Sequence, residues 1–372
     1  MEKIDSKKLK ITIFVSYTFP YIGSGIGNIA LKQGEKLADL GHEVTIVSCN
    51  FPKTKKEFIK NQVNHIKLSA IYLLERINVP VPLYLFNYRT IKLIKSSDII
   101  HIHDAIYPSS FLAAVIGKLF NKKIILTQHI SYVVYPNTLI NFIQKFAYFT
   151  LGKLTFLLSN RIIIYNPEVK KIINNDKKVF FLPNGVDLSI FYPAEGNDRM
   201  LYRKKHNLPI NKKIVLFVGR LVPKKGYKLL FEARDNRYLI LFVGNGKVPQ
   251  YMEIDTNVDF LPAVRQEELS EIYRLSNIFV LPSHGEGFPL SIQEAMACGL
   301  PIITTKCNIF DKSIDFIKKI DLDTESIKKA ILELIDDDDL IAKMGLDSGE
   351  FAVKNYNWDK NISALEEIYR IL

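Results

Sequence analysis

Two glutamates, eight residues apart, flank the strongest candidate anion site in the chain. Glu286 lies in a polar loop, Glu294 lies on the helix predicted to follow it, and residues 288–291 begin that helix. Free N–H groups at a helix N-terminus attract phosphate, whereas a carboxylate near phosphate is useful when it binds neutral hydroxyls. The pattern predicts a ligand with both chemistries, such as a phosphate linked to ribose or a hexose. The alternative is two solvated carboxylates on an ordinary strand–helix unit.

The turn GRLVPKKG, residues 219–226, is rich in cations. The run from Lys213 to Gly219 predicts a strand, which places Arg220 and Lys225 at the carboxyl edge of the same sheet as the glutamates. Two fixed cations beside a helix N-terminus suit a diphosphate. We therefore expect both side chains to bind the phosphates of that ligand.

Histidines follow two other predicted strands. The run Asp98 to His103 leads into Asp104, and the strand Lys123 to Gln128 ends at His129. His101 and His103 share one face of their strand, but no third or fourth ligand follows at metal spacing, so hydrogen-bonded histidines are favoured over zinc. His129 is either a structural residue or a polar group that faces the reacting bond, and its place at a strand end favours the second.

Alternating strands and helices position these groups. An apolar run, Ile278 to Leu281, predicts a buried parallel strand, and Ile292, Ala295 and Met296 form the buried stripe of the next helix. With 372 residues and 48% hydrophobic content, the chain suits two α/β domains. The aromatic helix predicted at Thr138 to Leu158 either covers a core or is an amphipathic helix at a membrane–water interface.

Charge and cysteine content limit the possible surroundings. Residues 1–196 carry 25 Lys and Arg against 13 Asp and Glu, net +12, whereas residues 197–372 carry 25 against 26, net −1. This asymmetry favours an anionic partner for the first half, such as a membrane surface, and no nucleic-acid motif is found. Three cysteines without a C-x-x-C pair and no long apolar run predict a cytoplasmic protein, peripheral on the inner face of the membrane when membrane-bound.

Nearly the whole chain resembles the retaining GT-B glycosyltransferases of glycosyltransferase family four. The resemblance rests on several motifs in order: GSGIGN with GHEVTIV, DIIHIHD, LPNGVD, GRLVPKKG and EGFPLSIQEAMACGLPII. It implies an α/β fold of two Rossmann-like, doubly wound parallel-sheet domains that face each other across a cleft. We expect an acceptor-binding domain at residues 1–193, a nucleotide-sugar-binding domain at 194–356, and a last helix, 357–372, that packs back on the first.

The resemblance also assigns roles to residues. Arg220 and Lys225 would hold the diphosphate, His129 would face the sugar, Glu294 would bind the ribose and Glu286 the transferred sugar. The implied catalytic residues are His129, Arg220, Lys225 and Glu286. The implied donor-binding residues are Gly25, Arg220, Lys225, Glu286, Gly287, Phe288, Pro289, Leu290, Ser291 and Glu294. Asp104 and His103 are the acceptor-side candidates.

The implied activity is transfer of a sugar from a nucleoside-diphosphate sugar to a glycan, a lipid-linked acceptor or a small molecule. Configuration is retained, and neither a metal nor another cofactor is expected. Asp321 and Asp323 match a D-x-D metal string, but their position before a helix favours capping. The segment after Thr305, CNIFDKSIDFIKKIDLD, lacks the family's usual G-G-x-P-E-like turn. A nucleotide-sugar epimerase and a non-catalytic binding module are the alternatives.

Overall fold

The structure is a computed structural model that describes residues 7–16, 18, 25–50, 57–72, 80–82, 88–129, 138–165, 167–170, 172–173, 176–284, 289–306 and 314–372. It divides into two compact units. The first comprises Met1–Pro183 and Asp359–Leu372, and the second comprises Asn184–Trp358.

The first unit is built on an eight-stranded sheet in the order β10-β9-β8-β7-β1-β2-β4-β3, with a separate two-stranded pair, β5 and β6. All neighbours in the large sheet are parallel except β3 and β4. The strands are β1 Lys10–Phe14, β2 Glu43–Cys49, β3 Glu57–Lys60, β4 Val63–Leu68, β5 Ala70–Tyr72, β6 Pro80–Pro82, β7 Ile99–His103, β8 Lys123–Gln128, β9 Arg161–Ile164 and β10 Val179–Phe181.

The helices of this unit follow the strands in the usual alternation. They are α1 Gly25–Asp39, α2 Tyr88–Ser96, α3 Pro108–Leu119, α4 Thr138–Ala147, α5 Lys153–Leu158 and α6 Pro167–Lys170, with a π-helical turn at Tyr148–Gly152 and a 3-10 turn at Asp176–Lys178. Close packing selects small residues at the contacts. A Cβ on Gly34 of α1 would lie 2.9 Å from Cδ1 of Ile46 on β2, so glycine lets the helix approach the sheet.

The second unit is a six-stranded, all-parallel sheet in the order β13-β12-β11-β14-β15-β16. Its strands are β11 Lys213–Val218, β12 Tyr238–Val243, β13 Val258–Leu261, β14 Ile278–Leu281, β15 Ile302–Thr305 and β16 Ile317–Ile320. Its helices are α7 Asp198–Lys205, α8 Tyr227–Glu232, α9 Gln250–Glu253, α10 Gln266–Leu275, α11 Leu290–Ala297, α12 Thr324–Ile335 and α13 Asp338–Asn355, with a 3-10 turn at Pro223–Lys225.

Helices on both faces bury these strands, which is why they are continuous apolar runs and not alternating ones. β14 is buried at every position, as are Ile292, Ala295 and Met296 of α11. Sequence reasoning missed several strands, among them β3, β4, β5, β6 and β16. β4 lies in a lysine-rich segment, and β16 is the short run IKKI. Lysines at Lys67, Lys318 and Lys319 concealed both patterns.

The last helix, α14 Trp358–Arg370, has most of its length in the first unit. The Tyr369 hydroxyl is 2.7 Å from Nδ1 of His101, and Glu366 is 3.2 Å from Nε2 of His42. Both histidines are buried, so these polar contacts satisfy groups that would otherwise be costly to bury.

Candidate functional site

The turn 219–226 is held at the carboxyl ends of three strands of the second unit. The Gly219 N–H donates to the Val243 carbonyl at 2.9 Å, and the Leu221 N–H donates to the Asn245 carbonyl at 2.9 Å. A Cβ on Gly244 would overlap the Gly219 carbonyl oxygen, and φ of Gly244 is +149°. The backbone of the turn therefore lies directly against the end of β12, which fixes the direction in which its side chains leave the sheet.

The same turn packs on the loop that follows β14. Gly226 has φ of +69°, and a Cβ there would overlap the Pro282 carbonyl oxygen. The His284 N–H also donates to the Lys224 carbonyl at 2.8 Å. The structure thus brings the cationic turn to the entrance of the loop that leads to Glu286, as the sequence predicts for a shared strand edge.

Of the two cations of the turn that are predicted to bind phosphate, Arg220 is exposed and Lys225 is half-buried. Within the described ranges, no carboxylate lies within ion-pair distance of Arg220. A guanidinium on a rigid turn, without a counter-ion in the described part of the chain, suits a transient anionic ligand.

Helix α11 starts at the same edge. Pro289 is its N-cap residue, with extended backbone and no side-chain cap. The first N–H groups bonded back into the helix are those of Ile292 and Gln293, both to the Pro289 carbonyl. The N–H groups of Leu290 and Ser291 have no backbone acceptor among the described residues, so they can bind an anion. Glu286, Gly287 and Phe288 lie outside the described residues.

Glu294 lies one turn into α11. The Tyr273 hydroxyl donates to its Oε2 at 3.0 Å and also lies 3.2 Å from the Ser291 carbonyl. Burial raises the pKa of Glu294 to about 7, against the opposing effect of the Tyr273 hydrogen bond. Part of the side chain remains exposed, so solvent moderates this shift. Tyr273 was not foreseen, because it lies on α10 and only the fold brings it to the carboxylate.

In the first unit, two buried histidines share a hydrogen bond. Nδ1 of His103 lies 2.8 Å from Nε2 of His129, and their rings are stacked with centroids 5.1 Å apart. Burial lowers the pKa of His103 to about 3 and that of His129 well below its usual value. Both rings are therefore neutral at pH 7, and one proton is shared along the hydrogen bond.

Asp104 braces the chain after β7 in a left-handed conformation, with φ of +60°. Its Oδ1 accepts from the His129 N–H at 2.9 Å and from Nε2 of Gln128 at 3.1 Å. The Ala105 N–H donates to Oε1 of Gln128 at 2.9 Å. Asp104 thus fixes the strand end from which His129 projects, so the predicted acceptor-side pair and His129 form one connected cluster.

His101 stacks on His103 with ring centroids 4.6 Å apart, but its hydrogen bonds go to other residues. Its Nε2 lies 2.7 Å from Oγ1 of Thr127, and its other nitrogen meets Tyr369. The histidines are therefore hydrogen-bonded, as expected from the missing ligands. No group of three or more His, Cys, Asp or Glu side chains positioned to hold a metal ion occurs in the described part of the chain.

The D-x-D string is engaged elsewhere. Oδ1 of Asp323 accepts from the Ser326 N–H at 2.7 Å and caps α12, which confirms the capping interpretation. Asp321 pairs with Lys306 at 2.6 Å.

Sequence reasoning missed a buried polar group in the first sheet. Lys67, near the end of β4, is buried and donates to Oγ of Ser48 at 3.0 Å and to the Thr18 hydroxyl. Burial lowers its pKa to about 8. The signal was the VNHIKL alternation, which places Lys67 on an inward-facing position.

Gly25 is the first residue of α1, and a Cβ on it would meet no atom within 4 Å among the described residues. Helix α1 therefore begins inside the GSGIGN string. No helix in the described ranges is both long enough and apolar enough to cross a membrane.

Sequence profiles of known families match both halves of the chain. Residues 23–190 match Glycosyltransferase Family 4, and residues 198–347 match Glycosyl transferases group 1. An uncharacterized glycosyltransferase of Methanocaldococcus jannaschii is 26% identical over 98% of this chain and 99% of its own length.

Solved structures share the fold. Sucrose-phosphate synthase of Thermosynechococcus elongatus superimposes with a TM-score of 0.78 at 20% identity, covering 98% of each chain. Anabaena HepE, crystallised in complex with UDP and glucose, gives a TM-score of 0.79 at 13% identity, over 98% of this chain and 100% of HepE. The two parallel sheets are thus those of the GT-B fold.

Proposed function

Because the chain belongs to the group 1, family 4 glycosyltransferases, retaining enzymes that take a sugar from a nucleotide-sugar, we propose a metal-independent transfer whose leaving group is bound at the second unit. The observation that carries the proposal is the glycine-locked turn 219–226. Gly226 and the Lys224 carbonyl of this turn contact the loop that follows β14, and the turn also carries Arg220 and Lys225.

The diphosphate is held by Arg220, Lys225 and the N–H groups of Leu290 and Ser291. Negative charge grows on the leaving phosphate as the glycosidic bond breaks, so these groups bind the transition state more tightly than the substrate. Because they are fixed by the turn and the helix, they need little reorganisation during the reaction.

Neutral hydroxyls of the donor are bound by carboxylates. Glu294 accepts from the ribose, and Glu286 with the backbone of residues 288–290 binds the transferred sugar. Tyr273 orients Glu294 through its hydrogen bond. The family resemblance also assigns Gly25, the first residue of α1, to the donor phosphates.

The first unit binds the acceptor. His129 faces the sugar, and the buried cluster of His103 and Asp104 holds His129 in place. The neutral state of both rings favours hydrogen bonding to uncharged hydroxyls over ion pairing. The acceptor is a glycan, a small molecule or a lipid-linked sugar, and the excess positive charge of the first half favours one held at an anionic membrane surface.

The reaction proceeds on one face of the sugar. The bond between the anomeric carbon and the phosphate oxygen breaks, and the acceptor oxygen bonds to that carbon from the same side. The acceptor proton passes to the departing phosphate oxygen. The products are a nucleoside diphosphate and a glycosylated acceptor with retained configuration.

The fixed cations replace a divalent ion in this proposal. Turnover is therefore expected to persist in EDTA. Complete loss of turnover that only magnesium or manganese restores would contradict metal independence.

The decisive experiment is product analysis with nucleotide-sugars of uridine, guanosine and adenosine, with UDP-glucose first because HepE was crystallised with UDP and glucose. Release of nucleoside diphosphate with a retained glycosidic product supports the proposal. An epimeric nucleotide-sugar would identify an epimerase, and binding without turnover a binding module.

The two glutamate roles are separable by binding measurements. Glu294→Gln is expected to weaken the binding of nucleoside diphosphate and of nucleotide-sugar alike. Glu286→Gln is expected to weaken mainly the binding of the nucleotide-sugar. The reverse pattern in calorimetry would exchange the two assignments.

A further inference from the structure

The helical segment Thr138–Leu158 of the first unit presents an apolar stripe to solvent. The stripe recurs every three or four residues along α4 and α5, with a step of five across the π-helical turn, and its side chains are 43–73% exposed. Its members are Leu139, Phe142, Ile143, Phe146, Phe149, Leu154 and Leu157. They are seven of the 22 exposed large apolar side chains in the described part of the chain, on 19 residues. Solitary exposed apolar residues are ordinary, but a contiguous stripe marks an interaction surface.

The opposite side of the segment packs on the protein. Gly152, Thr155 and Phe156 are buried, and Oγ1 of Thr155 donates to the Ala105 carbonyl at 3.1 Å. Tyr148, in the π-helical turn, lies with its hydroxyl 3.3 Å from Nε2 of Gln128. The outward stripe is therefore the second apolar face of a helix that has already covered the sheet.

The charged side chains of the sequence segment that carries the stripe have one sign. Residues 105–167 contain no Asp or Glu, although the chain has 39 in 372 residues, and they contain six Lys and Arg. Lys145 and Lys153 lie beside the stripe, and the Lys153 ammonium is 5.4 Å from the Phe149 ring centroid. Lys178 donates to the Leu157 and Ser159 carbonyls at 3.1 and 2.9 Å, where it adds a further cation at the end of the stripe.

From these observations we propose that the apolar stripe inserts into the outer layer of an anionic lipid bilayer, with Lys145, Lys153 and Lys178 at the headgroups. Aromatic side chains bordered by lysines are the composition of interfacial helices, which lie in the plane of the membrane without crossing it. A symmetric contact with a second copy would bring the same cations together without any acidic residue from this segment, which disfavours a dimer through this face.

The position of the stripe links membrane binding to the acceptor-side cluster, and this part of the inference rests on the proposed transfer. Gln128, which Tyr148 contacts, also binds Asp104, the residue that fixes the end of the strand before His129. Insertion of the stripe therefore brings the acceptor-side cluster close to the lipid headgroups. The partner chemistry that fits is an acceptor sugar carried on a lipid phosphate.

The first test is flotation with two kinds of vesicle. Neutral vesicles contain phosphatidylcholine alone, and anionic vesicles contain about one phosphatidylglycerol in three lipids. Wild-type protein is expected to bind the anionic vesicles at low salt and to be released as salt rises. The pair Phe142→Ser and Phe146→Ser is expected to reduce the bound fraction at least about tenfold, since apolar contact is lost. The matched control is Ile254→Ser with Leu346→Ser, which removes two exposed apolar side chains from the second unit.

A second variant pair tests the charge. Lys145→Gln with Lys153→Gln is expected to weaken binding to anionic vesicles about tenfold, whereas Lys343→Gln with Lys354→Gln, exposed on α13, leaves it unchanged. Equal binding to neutral and anionic vesicles would overturn the role of the lysines. Absence of wild-type binding, or equal loss in the control pairs, would overturn the proposal.

The depth to which the stripe inserts into the bilayer can be measured directly by fluorescence quenching. Trp358, the one native tryptophan, is 7% exposed, so Phe146→Trp adds a probe on the stripe and Tyr251→Trp a control on the second unit. Brominated lipids are expected to quench the first probe and not the second. A concentration-dependent dimer of the wild type that Phe142→Ser with Phe146→Ser abolishes would assign the stripe to self-association and contradict lipid insertion. Nucleoside diphosphate binding, measured on every variant, separates failure of this inference from failure of the proposed transfer.

Discussion

The carboxyl edges of the two sheets have opposite chemistry. At the edge of the first sheet, His103, Asp104 and His129 are buried and connected by hydrogen bonds, and both rings are neutral. At the edge of the second sheet, Arg220 is exposed, Lys225 is half-buried, and a helix begins without a side-chain cap. One α/β architecture thus carries a buried, neutral cluster at one strand edge and a cationic turn at the other, and the proposed roles of the two units follow this difference.

The largest effect is expected from the cations of the second unit. Arg220→Ala and Lys225→Ala should each lower kcat by roughly 10²–10³, equivalent to ~2–4 kcal/mol of transition-state stabilisation. Lys228→Ala, an exposed lysine on α8, is the charge-matched control and should retain activity. Steady-state kinetics measure the effect, and unchanged turnover in both variants would remove the cations from the mechanism.

Next in size is the glycine that seats the cationic turn. Gly226→Ala places a Cβ on the Pro282 carbonyl in a left-handed conformation, and about 2–3 kcal/mol of stability should be lost together with donor binding. Gly41 also has a positive φ, +89°, but a Cβ added there would meet no atom within 4 Å among the described residues. Gly41→Ala should therefore cost only the backbone strain, about 1 kcal/mol. Thermal denaturation compares the two. Equal losses would show that the contact with Pro282 does not hold the turn.

The histidine pair should give a smaller, purely kinetic effect. His103→Leu removes the hydrogen bond to His129, so the His129 ring loses its fixed tautomer and kcat should fall about tenfold to thirtyfold with KM nearly unchanged. His103→Asn keeps a polar atom near the position of Nδ1 and should restore most of the activity. Nitrogen NMR of the His129 ring reports the tautomer directly. A leucine variant with wild-type kinetics and an unchanged His129 spectrum would contradict the positioning role.

Finally, the two units should respond to pH in opposite directions. The pKa of His103 and His129 is lower in the folded state than in the unfolded one, so the first unit loses stability as pH falls below about 6.5, by roughly 1 kcal/mol per pH unit for each ring. The pKa of Glu294 is raised to about 7, so its contribution to the second unit is greatest at low pH and is lost as pH rises toward 7.

Hydrogen exchange resolved by unit, at pH 5.5 and 7 and corrected for intrinsic rates, measures these slopes. Glu294→Gln should remove the slope assigned to Glu294 from the second unit and leave the first unit unchanged. The same pH slope in Glu294→Gln as in the wild type would contradict the raised pKa of that carboxylate.

The sequence predicted the elements that depend mainly on residues close together in the chain. The run Ile278 to Leu281 is fully buried, the stripe on α11 is buried, and Asp323 caps α12. β16 was missed because it is a short strand, IKKI, whose lysines suggest an exposed segment.

For the site, sequence located the strand ends but not the contacts between them. His103 and His129 lie 26 residues apart and Tyr273 and Glu294 lie 21 apart, so only strand order and helix packing bring each pair together. Glu286, Gly287 and Phe288 fall outside the described residues, and their roles remain predictions. The division of labour between donor and acceptor domains also remains a prediction.

The most direct test is calorimetric titration of UDP, GDP and ADP into the wild type, the Arg220→Ala, Lys225→Ala double variant and His129→Ala. If the second unit holds the diphosphate, the wild type binds at least one of the three. The double variant should then bind it at least about a hundredfold more weakly, and His129→Ala should bind it as the wild type does. A double variant with wild-type affinity, or a comparable loss in His129→Ala, would contradict the assignment of phosphate binding to the edge of the second sheet.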